Sequence, residues 1–244
     1  MKSEVLKNCI AHRGLISSGL IENSETAVIE CIKKQTSIEV DLQYHPSGEI
    51  FVFHDENLDR IFNYKAQLSS CPIDHLKILK YRDGSSLLTL NSLLNLVRGN
   101  VSLLLELKAP KSLSYSEKKS FCHSLVKSLS NYSGDIFVQS FNPVILNILR
   151  RMNFKFPLGA LVCDWSNIKG LSFFERKILD SHVSLLINQV DFISLNLETL
   201  ELRIFKLISL LKIKPVYLWT IESDFQRYLA IPGVEKIIAE NFYN

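Results

Sequence analysis

Three acidic residues stand inside runs that are otherwise apolar. In Ser-Ile-Glu-Val-Asp-Leu, Glu39 and Asp41 are two apart. A strand puts both on one face and turns Val40 and Leu42 the other way. Two adjacent carboxylates repel, and burying either without a partner is costly; a bound cation relieves both problems. The run Leu-Leu-Leu-Glu-Leu-Lys ending at Lys108 repeats the pattern, with Glu106 and Lys108 on one face. Glu39, Asp41 and Glu106 together would make an all-oxygen site, which favours Mg²⁺ or Ca²⁺ over zinc. A lysine beside that metal is useful where an anion also binds, and a phosphate meets the need.

Two histidines close strand-like segments, His12 after Cys9-Ile10-Ala11 and His54 after Ile50-Phe51-Val52-Phe53. Histidine is the natural acid or base near neutral pH. Arg13 adds a forked donor for phosphate oxygens, and Gly14 permits a tight turn. Plainer readings stand beside these. A strand-end histidine is more often only a hydrogen-bonding residue, Glu39 and Asp41 could pair with arginines of neighbouring strands, and Glu106 with Lys108 could be a buried salt bridge. No residue decides the matter alone. Their shared placement at strand ends, supplying a metal site, a phosphate clamp and an acid/base pair, shifts the weight towards chemistry.

The elements that must position them are short apolar segments alternating with helical patterns. Strands are predicted over 9–14, 37–42, 50–55, 101–108, 135–141, 158–163, 191–196, 215–220 and 236–240. Near-continuous apolar runs of this kind suit parallel strands buried on both faces. Helices are predicted after Asn23, with Ala27, Val28, Cys31 and Ile32 inward; after Thr89; after Ser114 or Ser116; from the Asn142-Pro143 start; and over 200–211. The alternation predicts an α/β fold, a (β/α)8 TIM barrel of about 250 residues, over the single domain 1–244. Nine strands are one too many for it. The span from Asp41 to Ile50 has no room for a helix, and Ser47-Gly48 reads as a turn. Either one strand lies outside the barrel or one crossover lacks its helix. An open doubly wound sheet is the alternative, but no GxGxxG follows a first strand.

Composition excludes other classes. Among 244 residues, 28 basic side chains against 25 acidic ones leave a formal charge of +3, too small, and without a basic run, to predict a nucleic-acid partner. Five cysteines without CxxC spacing predict free thiols in a reducing compartment. MKSEVLKN lacks the features of a signal peptide, and no apolar run is long enough to span a membrane. The expectation is a cytoplasmic protein with no stable membrane insertion; the sequence assigns no oligomeric state.

The chemistry-bearing residues, in their order, resemble the glycerophosphodiester phosphodiesterase family. The likeness runs from Ala11-His12-Arg13-Gly14 through Glu22-Asn23-Ser24, Glu39-Val40-Asp41, His54-Asp55, Leu58-Asp59-Arg60, Leu88-Thr89-Leu90 and Glu106-Leu107-Lys108 to Gln139-Ser140-Phe141-Asn142 and Trp219-Thr220. It implies a (β/α) barrel that cleaves glycerophosphodiesters to sn-glycerol 3-phosphate and an alcohol, with a divalent cation on Glu39, Asp41 and Glu106. It implies His12 and His54 as acid and base, Arg13 and Lys108 on the phosphate, and Trp219 and Phe141 in the substrate pocket. Residues 56–87 fall where that family carries an insertion after the third strand; here it is short, which suits a small substrate. Ser24 replaces the usual threonine. Ala239-Glu240-Asn241 replaces a Thr-Asp ending, with Glu240 a partial stand-in for the acid. Two other functions stay open: a lysophospholipase D-like enzyme, for which Phe173 and Phe174 are the candidate lipid contact, and a non-catalytic phosphoester-binding barrel.

Overall fold

The computed structural model describes residues 8–16, 19–110, 112–163, 189–197, 213–240 and 242. Among them, nine strands form one hydrogen-bonded sheet: β1 (Cys9–Ala11), β2 (Ser37–Tyr44), β3 (Ile50–Val52), β4 (Leu103–Lys108), β5 (Ile136–Ser140), β6 (Leu158–Val162), β7 (Phe192–Asn196), β8 (Val216–Ile221) and β9 (Val234–Ala239). Eight are parallel and close a barrel in the order β1-β2-β4-β5-β6-β7-β8-β9, with β9 returning to β1. The ninth, β3, pairs antiparallel with the end of β2 through Leu42↔Val52, Gln43↔Phe51 and Tyr44↔Ile50.

A hairpin needs only a short turn, whereas a parallel crossover needs a dozen residues or more. The five residues between Tyr44 and Ile50 therefore fold back, with Gly48 at φ 93° in the turn. This corrects one of the two readings left open by the sequence: the extra strand lies outside the barrel, and no described crossover lacks a helix. The helices are α1 (Glu25–Lys33) between β1 and β2, α4 (Leu90–Val97) before β4, α5 (Tyr115–Leu129), α6 (Pro143–Arg151) and α7 (Phe225–Leu229) before β9. The helix expected over 200–211 and the Phe173–Phe174 segment lie outside the described residues, as do residues 1–7.

Helix starts follow local chemistry. Ser24 Oγ accepts from the Ala27 N–H at 3.2 Å, and Thr89 Oγ1 from the Ser92 N–H at 3.1 Å. Ser114, not Ser116, opens α5, because Glu117 three residues on returns the bond to the Ser114 N–H at 2.8 Å in a capping box. Asn142 caps α6 with Pro143 at its first position.

The 2.0-residue period of the strands sorts their side chains. Ile38, Val40 and Leu42 of β2 join the main apolar layer under the helices, which leaves Glu39, Asp41 and Gln43 on the opposite, barrel-interior face, all buried. Deeper in the interior, Ile10, Leu104, Phe192, Tyr217 and Ile238 form a separate apolar plug. Phe192 stacks on Tyr217 with centroids 4.5 Å apart and meets Phe137 edge-on at 6.2 Å. Its ring uses the space above Gly159, where a Cβ would stand 2.2 Å from it. Gly159→Ala is thus expected to destabilise the protein by about 1–3 kcal/mol through overpacking, read as a lower urea midpoint with an unchanged slope; an unchanged midpoint would mean the plug has slack.

Residues 56–87 hold α2 (Asp59–Phe62), a 3₁₀ turn (Leu68–Ser70) and α3 (Ile73–Ile78). They pack a satellite core with β3, in which Phe51, Phe53, Leu58, Leu68, Leu76 and Tyr81 are buried. All five cysteines are free thiols, four of them buried. Among the described residues, no helix is long and apolar enough to cross a membrane.

Candidate active site

β2 and β4 pair with Asp41 opposite Glu106 and Gln43 opposite Lys108. That register, with Glu39 two residues below Asp41, gathers the three acids: one oxygen from each of Glu39, Asp41 and Glu106 lies within 4.8 Å of the others. Glu39 and Asp41 are each 1% exposed. The turn after β1 delivers Arg13 to them. Arg13 has φ 56° and Gly14 φ 84°, a left-handed pair that aims the Arg13 N–H at Glu39 Oε2, 2.9 Å away. At Gly14 an added Cβ would stand 2.9 Å from the Ala27 Cβ, so the position needs glycine both for its backbone and for its space. Asn23, also left-handed at φ 56°, donates from Nδ2 to Asp41 Oδ2 at 2.8 Å and accepts from the Asp41 N–H at 3.2 Å.

The ion-pair readings of the sequence are realised for Glu106 with Lys108 and, of the other two acids, for Asp41 alone, through Arg13 in the turn after β1; Glu39 has only the Arg13 backbone N–H. Arg13 Nε stands 3.2 Å from Asp41 Oδ2. Lys108 Nζ stands 2.9 Å from Asp41 Oδ1 and also donates to Glu106 Oε1. They do not complete the site, because three carboxylates face two cations and Glu39 Oε1 is buried without a hydrogen-bond partner. Burial pushes the Glu39 carboxyl well above the usual range, and the Asp41 and Glu106 charges add to it. Burial also raises Glu106 against the pull of Lys108. For Asp41, burial is outweighed by Lys108 and Arg13, which hold it at about 2. The Lys108 ammonium, in turn, stays firmly protonated because Asp41 and Glu106 overcome its desolvation. An orphaned buried carboxylate oxygen within a triad of oxygen donors is an unmet bonding demand that a hard divalent cation fits.

His54 reaches the site by an unexpected route. The strand before it belongs to the hairpin, not the barrel. β2 runs on past its pairing with β4 to Tyr44, and β3 runs back antiparallel, so that Phe53 N–H donates to Asp41 O at 2.9 Å. Gln43 Nε2 then holds the His54 carbonyl at 2.9 Å. His54 Nδ1 lies 2.6 Å from Asp55 Oδ1, and burial lowers the pKa of the ring, with Asp41 pulling the other way. His12 is held by β9: its Nδ1 is 2.6 Å from Glu240 Oε1.

Arg60 of α2 ties the insertion to both sides of the site. It donates from Nε to Asp55 Oδ2 at 2.6 Å, and from its two terminal nitrogens to Glu22 at 2.9 and 2.7 Å. Glu22 also accepts from Arg13 at 3.1 Å. The family resemblance includes Glu22, Asn23, Asp55 and Arg60 without assigning them roles, and sequence reasoning missed Gln43. The signal for Gln43 was present: it continues the polar alternation of Glu39 and Asp41 into the next inward position.

A cavity of about 820 Å³ opens beside the site, lined among others by His54, Glu106, Lys108, Phe141 and Asn142; His12, Arg13, Glu39, Asp41 and Trp219 are not among its lining residues. Trp219 meets Phe141 edge-on with centroids 5.6 Å apart, so the two expected pocket residues stand together, Phe141 on the cavity wall.

A parallel barrel with acids, cations and histidines gathered at the C-terminal ends of its strands has the layout of a barrel enzyme. Residues 12–190 match the model of the Glycerophosphoryl diester phosphodiesterase family. The chain belongs to that family, whose members are phosphodiester hydrolases. No curated protein matches it. Solved structures that share its fold include a phosphodiesterase from Oleispira antarctica in complex with the product sn-glycerol-3-phosphate, with TM-score 0.76, 18% identity, and coverage of 98% of this chain and 94% of that one. A glycerophosphodiester phosphodiesterase from Parabacteroides distasonis gives 0.72, 20%, 96% and 92%. The enzyme from Thermotoga maritima gives 0.71, 19%, 96% and 94%.

Proposed function

We propose that this chain hydrolyses small glycerophosphodiesters to sn-glycerol 3-phosphate and an alcohol, and that it does so with Mg²⁺ or Ca²⁺ held by Glu39, Asp41 and Glu106. The observation that carries the metal is the unpartnered Glu39 Oε1 inside the buried triad. Family membership carries the reaction, and the product seen in the Oleispira relative is the basis for naming glycerol 3-phosphate. A divalent cation bound there supplies neutralisation of phosphate charge and a lower pKa for a coordinated hydroxyl or water.

In this proposal the chain's own groups do the rest. Arg13 and Lys108 reach the phosphate from beside the acids and stabilise the charge that builds up in the transition state. One of His12 and His54 takes the proton of the attacking hydroxyl or water, and the other returns a proton to the departing alkoxide. Phe141 and Trp219 wall the pocket against water. The reading takes 1–244 as one domain, supported by a sheet that is continuous from Cys9 to Ala239. It places the enzyme in the cytoplasm, supported by five free thiols.

The substrate class is tested by following ³¹P NMR of purified protein with glycerophosphocholine, glycerophosphoethanolamine and lysophosphatidylcholine. The proposal expects conversion of the first two to a phosphomonoester. Turnover of the lysolipid alone would contradict it and assign a lipid substrate instead.

A further inference from the structure

We infer that Glu240 is the positioning residue for His12. It would fix which ring nitrogen of His12 is free for proton transfer. The inference rests on the acid/base role proposed for His12.

The geometry is specific. β9 pairs with β1 through Ile10↔Ile238 and Ala11↔Ala239, so the next residues on the two strands, His12 and Glu240, emerge side by side where the barrel closes. Both backbones are pinned at that seam. The His12 N–H donates to Ala239 O at 3.0 Å, and the Glu240 N–H donates to Ile221 O of β8 at 2.9 Å. The side chains then meet at 2.6 Å through His12 Nδ1 and Glu240 Oε1. Both are largely shielded, with side-chain exposures of 17% and 23%. A carboxylate only accepts, so Nδ1 carries the proton of this bond. Nε2 is the nitrogen left to face chemistry, and the imidazole cannot rotate without breaking a short charge-assisted bond.

The second histidine shows why this pair is singled out. His54 has its own carboxylate, Asp55, but that acid also accepts from Arg60 at 2.6 and 3.1 Å. Among the described residues, Glu240 has His12 as its side-chain hydrogen-bond partner, and this bond is the main reason its carboxyl lies below the usual range, against desolvation. A carboxylate in that position both orients the ring and steadies an imidazolium during the proton cycle.

The test uses Glu240→Ala, Glu240→Gln, His12→Ala and the double variant His12→Ala/Glu240→Ala, assayed on glycerophosphocholine, with thermal melts to confirm folding. Glu240→Ala is expected to lower kcat about 10- to 100-fold and leave KM within about twofold. Glu240→Gln, whose amide can donate to a bare Nδ1 and has no charge to steady an imidazolium, is expected to recover little of that loss. In the His12→Ala background, Glu240→Ala should cost nothing more, because residues acting as a unit are not additive. Losses that multiply, or a Glu240→Ala enzyme as active as the wild type, overturn the inference. So does a Glu240→Gln enzyme as active as the wild type, since the carboxylate would then not be what holds the tautomer. If His12→Ala itself stays fully active, the acid/base reading of His12 has failed instead. A measurement independent of turnover is ¹⁵N NMR of the histidine rings, with His12 assigned by its loss in His12→Ala. A protonated Nδ1 is expected, and an Nε2–H tautomer with bare Nδ1 overturns the assignment.

Discussion

Replacing His12 or His54 by alanine is expected to lower kcat on a glycerophosphodiester by roughly 10²–10⁴-fold, with the fold and metal binding intact. Neither ring belongs to the acidic triad, and neither supports the apolar plug. His12 lies beyond β1, bonded to Glu240; His54 lies beyond β3, bonded to Asp55. Removing either ring takes away one proton carrier and leaves Arg13 and Lys108 in place, so the loss should appear in kcat rather than KM. The two single variants should also separate when the leaving alcohol is varied. A p-nitrophenolate leaving group needs no proton, so only the variant lacking the acid is rescued by such an ester. Near-full activity in both folded, metal-loaded variants would show that these histidines are not the acid and base.

Glu39→Gln is the second large effect, and its two parts have opposite signs. The amide oxygen of the new side chain can still accept the Arg13 N–H, so the turn after β1 survives. The charge is gone, however, and with it one of three anionic donors. Metal affinity should fall by more than about 100-fold, beyond what losing a supporting residue around a metal costs, and activity at limiting metal should fall with it. In EDTA the same change should not destabilise the protein. Glu39 is buried beside Asp41 and Glu106, with one oxygen unpartnered, and removing an uncompensated charge relieves desolvation and repulsion. A rise of about 2–4 °C in the melting temperature corresponds to about 1 kcal/mol in a protein of this size. Calorimetric titration with Mg²⁺ and Ca²⁺ and a melt in EDTA read both parts. Unchanged metal affinity would remove Glu39 from the metal site.

Much of the barrel was legible because parallel strands bury both faces, and their apolar runs stand out. The acids were legible for the same reason: Glu39, Asp41 and Glu106 interrupt those runs at inward positions. The hairpin was harder. The span from 41 to 50 showed that no helix fits, but not which way the chain turned, since period-2 patterns carry no strand direction. His54 was thus found for an incomplete reason, as the end of a strand that proves to run opposite to the barrel. The Arg60 clamp was hidden because its partners, Asp55 and Glu22, lie 5 and 38 residues away. Nothing in local spacing links a helix of the insertion to the loop after β1. The same holds for His12 and Glu240, 228 residues apart and joined only by barrel closure.

In the proposed function the buried triad beside the pocket makes this chain a metal-dependent phosphodiesterase. The most direct measurement is the release of glycerol 3-phosphate from glycerophosphocholine by EDTA-treated protein, before and after Mg²⁺ or Ca²⁺ is added back. No release is expected in EDTA, with full recovery on adding at least one of the two ions. Equal release with and without metal would contradict that function.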